Sequence, residues 1–303
     1  MKKRSLTLAL VFFVALLGMG FSSAEALAQD GPYIQDVGGK GKVDWTQGWI
    51  EAVGTGAPPE KYYGKPQARP MALRAAQLDA FRNLLEVVKG VQLTSSTTVE
   101  DFVTTSDVIR TQVDGMVKGA QTVKREYLSD GTVEVTVRMA LSGNFTQLLL
   151  PVEARPAPTP VPPSVIAPAP PEVVAPPAAP PAAPPAAPSA RIYTGLVVDA
   201  RGLSARPAMS PKVVDEDGQE VYGTASVSRE YAVQQGMAGY SKDVNAAQTN
   251  SRVTNSPVTV KGLRTEGAGR SDIVISRADA AALRAAGQDL SFLQKCRVMI
   301  VLD

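Results

Sequence analysis

Residues 68–89 read ARPMALRAAQLDAFRNLLEVVK, and the fold of the first half of the chain turns on them. Met71, Ala75, Leu78, Phe81, Leu85 and Val88 recur at three- and four-residue steps, while Arg74, Asp79, Arg82, Asn83 and Glu86 fall largely on the other side. That spacing predicts an amphipathic helix with the first set turned to a core. Gly90, directly after Lys89, supplies the stop.

Working outward, Gln47 to Val53 reads as a strand ended by Gly54, Gly56, Pro58 and Pro59. Downstream, Val91 to Thr98 is compatible with a strand or a loop, and Ser106 to Val113 with a short helix weakened by β-branched residues. Gln121–Tyr127 and Thr132–Leu141 bracket Asp130-Gly131, a hairpin signal. Val133, Val135, Val137 and Met139 alternate with Glu134, Thr136 and Arg138, so the hairpin has one covered face and one wet face. The long helix is the natural cover.

The second half, 191–303, reads as β-rich with one good helix. Tyr193–Val198, Pro211–Val214, Gln219–Tyr222, Pro257–Lys261 and Asp272–Ile275 read as strands, and Asp217-Gly218 as a hairpin turn. Ser276 with Asp279 caps a helix over 278–286, and the apolar run Arg297–Leu302 predicts a strand inside a sheet. The expected fold class is therefore α+β: two small domains, 45–150 and 191–303, each a mostly antiparallel sheet with one principal packed helix. Residues 29–44 are expected to be a flexible lead-in.

Between the domains, 151–190 holds 16 of the 24 prolines, including PPAAPPAAPPAAP at Pro176–Pro188. Proline lacks the N–H that sheets need, so this segment favours polyproline II and a disordered linker. At ~3.1 Å per residue it spans on the order of 120 Å when extended, which predicts domains held apart. A passive spacer and a ligand for an aromatic groove are both open to such a tract.

The first residues carry an export pattern. Lys2, Lys3 and Arg4 precede an apolar run from Leu6 to Phe21, and Ala26-Leu27-Ala28 sets up cleavage between Ala28 and Gln29. The run is shorter than the roughly 20 residues of a membrane span, so a cleaved signal over 1–28 is favoured over a retained anchor. Removing it leaves 28 basic against 28 acidic residues, a neutral chain without the footprint of nucleic-acid binding.

Catalytic chemistry finds little to stand on. Histidine is absent, which removes the commonest general base, and Cys296 is the one cysteine. In a terminal strand it reads as buried and inert, with an intermolecular disulfide as the alternative. Asp215-Glu216-Asp217-Gly218 lacks calcium-loop spacing, and Gly54-x-Gly56 runs into Pro58, so neither predicts a metal or nucleotide site. No enzyme activity, metal or cofactor is expected. The irregular stretch Ser226–Arg252 is the candidate interaction surface, through Arg229, Tyr231, Gln234, Met237 and Tyr240; a surface loop with a short helix near Val244–Gln248 is the alternative.

Trp49-Ile50-Glu51-Ala52-Val53-Gly54-Thr55-Gly56, the run Ala72 to Ala80, Gly90 and the Asp130–Val135 hairpin together carry a resemblance. Over about a hundred residues the first domain resembles the lipoprotein family named for a twenty-kilodalton outer-membrane antigen, which includes FlgP-like flagellar lipoproteins. The resemblance implies a self-assembling or scaffold-associated envelope module, often linked to motility. Lipidated members carry a cysteine after the leader, where this chain reads Leu27-Ala28-Gln29, so an unlipidated product is expected.

The expectation is thus an exported structural or assembly protein of the periplasm or the outer face of the envelope. It acts on envelope proteins or on copies of itself, with no nucleic acid and no membrane span in the mature form. A glycan- or peptidoglycan-binding module is the alternative.

Overall fold

The computed structural model describes residues 32–150, 193–285 and 291–303. The signal cleavage at Ala28 and Gln29 and the proline-rich linker lie outside them.

The first domain is one antiparallel sheet under a long helix. Its strands are β1 (Ile34–Val37), β2 (Gly41–Asp44), β3 (Trp49–Gly56), β4 (Gln121–Tyr127) and β5 (Val133–Ala140), in the order β1-β2-β3-β5-β4. Where a flexible lead-in was expected, β1 and β2 form a hairpin that extends the sheet through the pairing of β2 with β3. Helix α1 (Ala68–Lys89) is followed by α2 (Val99–Thr104), α3 (Asp107–Lys118) and, after β5, α4 (Asn144–Leu149). Thr98 and Asp101 make a reciprocal capping box at α2, and the Ser106 hydroxyl caps α3.

The buried side of α1 overlaps the predicted face only toward its C-terminal end, where Val88 is buried and Phe81 and Leu85 are half-buried. Ala72, Ala76, Ala80, Asn83, Leu84, Val87 and Val88 face the sheet, whereas Met71, Ala75 and Leu78 are exposed. The reason lies in β3. A β-carbon added to Gly54 would overlap the Ala80 amide nitrogen and the Ala76 carbonyl, and one on Gly56 the Ala76 amide and the Ala72 carbonyl. The backbones touch, so only alanine at every fourth helical position fits the seam. Farther along α1 the gap opens, and Leu84, Val87 and Val88 fill it, worth ~1.5–3 kcal/mol for each large side chain buried. Beyond the reach of β2, α1 also serves the strand edge: Asn83 donates to the Val53 carbonyl at 2.7 Å, and Asp79 accepts from the Thr55 amide at 2.9 Å.

The second domain differs from the expected antiparallel sheet. Its strands are β6 (Gly195–Asp199), β7 (Val213–Val214), β8 (Glu220–Tyr222), β9 (Gly239–Ser241), β10 (Pro257–Glu266), β11 (Asp272–Ile275) and β12 (Val298–Val301), in the order β8-β7-β11-β10-β6-β12-β9. The pairs β7–β11, β6–β10, β6–β12 and β9–β12 are parallel; only β10–β11 and β7–β8 are antiparallel. Parallel neighbours need long crossovers and leave no turn signature, which is why local reading misses them. The helices are α5 (Arg229–Gln235), α6 (Val244–Gln248), α7 (Arg277–Ala285) and α8 (Ser291–Gln294).

Strand β12 lies inside the sheet between β6 and β9, buried on both faces. Val197, Met299 and Val301 form a small cluster with Ala247 of α6, while Leu196, Val198, Val298 and Ile300 join the main core. That main core runs on without a break into the first domain. Among the described residues no helix is long and apolar enough to cross a membrane.

Candidate functional site

The domains are docked, not held apart. Besides the apolar core they share, hydrogen bonds join them at three places, each using backbone groups as well as side chains. The loop after α1 receives the second domain through Met209 N–H to the Gln92 carbonyl (3.0 Å), Ser210 N–H to the Leu93 carbonyl (2.9 Å), and the Ser95 hydroxyl to the Asp272 carboxylate. Helices α4 and α5 meet through Gly143 N–H to the Val233 carbonyl (2.7 Å) and the Arg229 guanidinium to the Gln147 carbonyl (2.8 Å). The turn between β2 and β3 completes the seam. There the Thr46 hydroxyl donates to the Tyr240 carbonyl at 2.9 Å, and Trp45 meets the Tyr240 ring edge-on at 5.5 Å.

This seam takes in the stretch expected to bind an outside partner. Met237 and Tyr240 are 1% and 2% exposed and are not surface groups. Tyr240 is covered by Trp45 of the first domain, whereas Met237 is held by its own domain, its sulfur accepting from the Ser210 hydroxyl and its carbonyl from Tyr222. Arg229 contacts that domain directly, whereas Tyr231 and Gln234 remain exposed. The Tyr240 hydroxyl is closed on both sides, accepting from the Ala208 amide (2.9 Å) and donating to its carbonyl (2.7 Å), and burial drives its pKa well up.

Behind the seam a cleft of about 280 Å³ opens between the domains. Trp45, Gln47, Leu141, Ser142 and Thr146 line it from one side, and Met209, Gln234, Met237, Tyr240 and Arg252 from the other. Arg252 donates to the carbonyls of Gly236 (3.1 Å), Cys296 (2.9 Å) and Gln235. Two of those carbonyls end α5, where the helix dipole favours a cation. Arg252 closes the irregular stretch, and the absence of an acidic neighbour in sequence is its one local signal; Trp45 carries none.

Cys296 lies beside this arginine, fully buried, with its thiol pushed up to about 11 by burial. A thiol so placed is neither a nucleophile nor open to a second chain.

The outer face of the first sheet offers a second surface. Glu51, buried to 5% exposure, pairs with Lys42 (3.2 Å) and with the Arg138 guanidinium, whose Nε donates at 2.7 Å. Arg138 also lies over the Trp49 ring at 4.3 Å, and Lys42 at 5.5 Å. Lys42, Glu51 and Arg138 help floor a broad groove of about 720 Å³. Its buried carboxylate is paired with both neighbouring cations, so it reads as a stabilised sheet face. Among the described residues no group of three or more metal-binding side chains is gathered.

No curated protein matches the chain at a significant level. Residues 195–303 match the family model of Treponema pallidum Tp0624, second domain. Residues 42–140, which contain the glycine–alanine seam and the Asp130-Gly131 hairpin, match the LPP20 lipoprotein family model, so the resemblance read from the first domain holds and links the chain to the cell envelope.

Proposed function

We propose that this is a non-enzymatic structural or assembly protein of the cell envelope, working through protein–protein contact, with motility or a surface appendage as its setting. The observation that carries it is the outward stripe of α1. Met71 and Leu78 are 38% and 56% exposed, with Ala75 between them and Arg74 and Arg82 alongside. An apolar stripe rimmed by charge is the usual make-up of a protein contact. The second domain's own apolar stretch is largely used within the docked body, whereas the α1 stripe stays open to a partner.

Export with cleavage before Gln29 belongs to the same reading. The unlipidated state rests on the sequence around residues 27–29 and gains nothing from the match, since the matched family is one of lipoproteins.

Mass photometry of the full-length protein, with affinity capture from native envelope, tests the proposal. The expected result is self-association or a captured protein partner that Leu78→Lys abolishes while leaving the melting temperature within a few degrees. A strict monomer that captures only cell-wall glycan overturns it.

A further inference from the structure

The interdomain cleft holds a positive charge without a counter-ion. Arg252 is largely withdrawn from water, and burial pulls its pKa down; Tyr222, Cys296 and Tyr240 are the groups that act on it, and none is an anion at neutral pH. No Asp or Glu lines the cleft. The carbonyls of Gln235, Gly236 and Cys296 take three of the five guanidinium N–H groups, leaving two.

Three other polar side chains around the cleft can donate to a ligand there. Gln47 accepts from the Trp49 indole through its oxygen, so its free end is the NH₂ donor. The side chains of Gln234 and Ser142 have no hydrogen-bond partner among the described residues, and both line the cleft. Trp45, Leu141, Met209 and Met237 supply apolar wall. A small apolar-walled cavity with a few unspent donors and one desolvated cation is a ligand site in form.

We infer that the interdomain cleft binds a small carboxylate, anchored on Arg252, oriented by Gln47, Gln234 and Ser142, and bridging the two domains. A carboxylate suits the site better than a phosphate. One guanidinium balances one negative charge and meets a planar carboxylate as a fork. A dianion would be left half-neutralised in a cleft that has no second cation. The acid is either a free one, such as a sugar acid, or the C-terminus of a short peptide, and the cleft's volume of about 280 Å³ holds no more than that. Because both domains line it, the ligand stabilises their docking.

Calorimetric titration and thermal unfolding of the full chain test this with four probes: N-acetyl-alanyl-alanine, its C-terminal amide, glucuronate and inorganic phosphate. One of the two acids is expected to bind with a Kd below about 1 mM and raise the melting temperature. The peptide acid should bind at least tenfold more tightly than its amide if a peptide is the source, and glucuronate should bind alone if a free acid is. Gln234→Glu places a negative charge in the cleft at an exposed position and should weaken binding at least tenfold without changing the fold; Arg252→Lys should do the same. Failure of both acids to bind, equal binding of acid and amide, tighter binding of phosphate, or wild-type affinity in Gln234→Glu overturns the inference.

Discussion

Gly54 of β3 lies against Ala80 of α1 with no room for a β-carbon between them. Since the obstruction is helix backbone and not a flexible side chain, Gly54→Ala must push α1 off the sheet. The expected loss is ~2–3 kcal/mol, read as a lower urea midpoint with an unchanged slope. Gly48→Ala is the control: it meets nothing within 4 Å, and its positive φ of 74° limits the cost to ~1 kcal/mol.

Tyr240 closes the seam from inside. Tyr240→Phe keeps the ring against Trp45 but leaves the amide and carbonyl of Ala208, itself 1% exposed, without the hydroxyl. We expect a loss of about 2 kcal/mol and faster amide exchange over residues 205–210, measured by hydrogen–deuterium exchange.

Alkaline stability follows from the buried acids beside Arg252. Burial raises the pKa of Tyr222, Tyr240 and Cys296 in the folded state, Cys296 from 9.0 to about 11. The unfolded chain therefore releases these protons first, so the stability they contribute is whole below pH 9 and is lost as pH rises from there towards 11 and beyond. A fall of up to ~1.4 kcal/mol per pH unit per group is expected, and Cys296→Ala should flatten the profile between pH 9 and 11. The thiol should resist iodoacetamide at pH 8 until the chain unfolds.

The N-terminus has its own check. Mass spectrometry of protein purified from its native envelope should find a chain that starts at Gln29 and carries no acyl group. An acylated product sinks the unlipidated reading and leaves the protein–protein reading standing.

Local chemistry made much of this legible. The bounds of α1, the β4–β5 hairpin around Gly131, the Ser276 cap and the short helix Val244–Gln248 all follow from residues a few positions apart. What escaped depends on distant partners. Met71 and Leu78 look like core residues until the glycines of β3 bring the helix backbone too close for them. Tyr240 looks like a contact for another protein until Trp45, far back in the chain, covers it. The cleft escaped for the same reason, since Gln47 and Arg252 belong to different domains.

Leu150 and Tyr193, the residues that flank the linker, both belong to the docked body. The two halves therefore meet as parts of one covalent chain, at an effective concentration that dilution does not change. A seam of backbone hydrogen bonds, one aromatic pair and a shared apolar core closes under that condition without depending on protein concentration. An outside molecule that prises the domains apart must outcompete a rival that never diffuses away, whereas one that fits into the cleft meets no such rival.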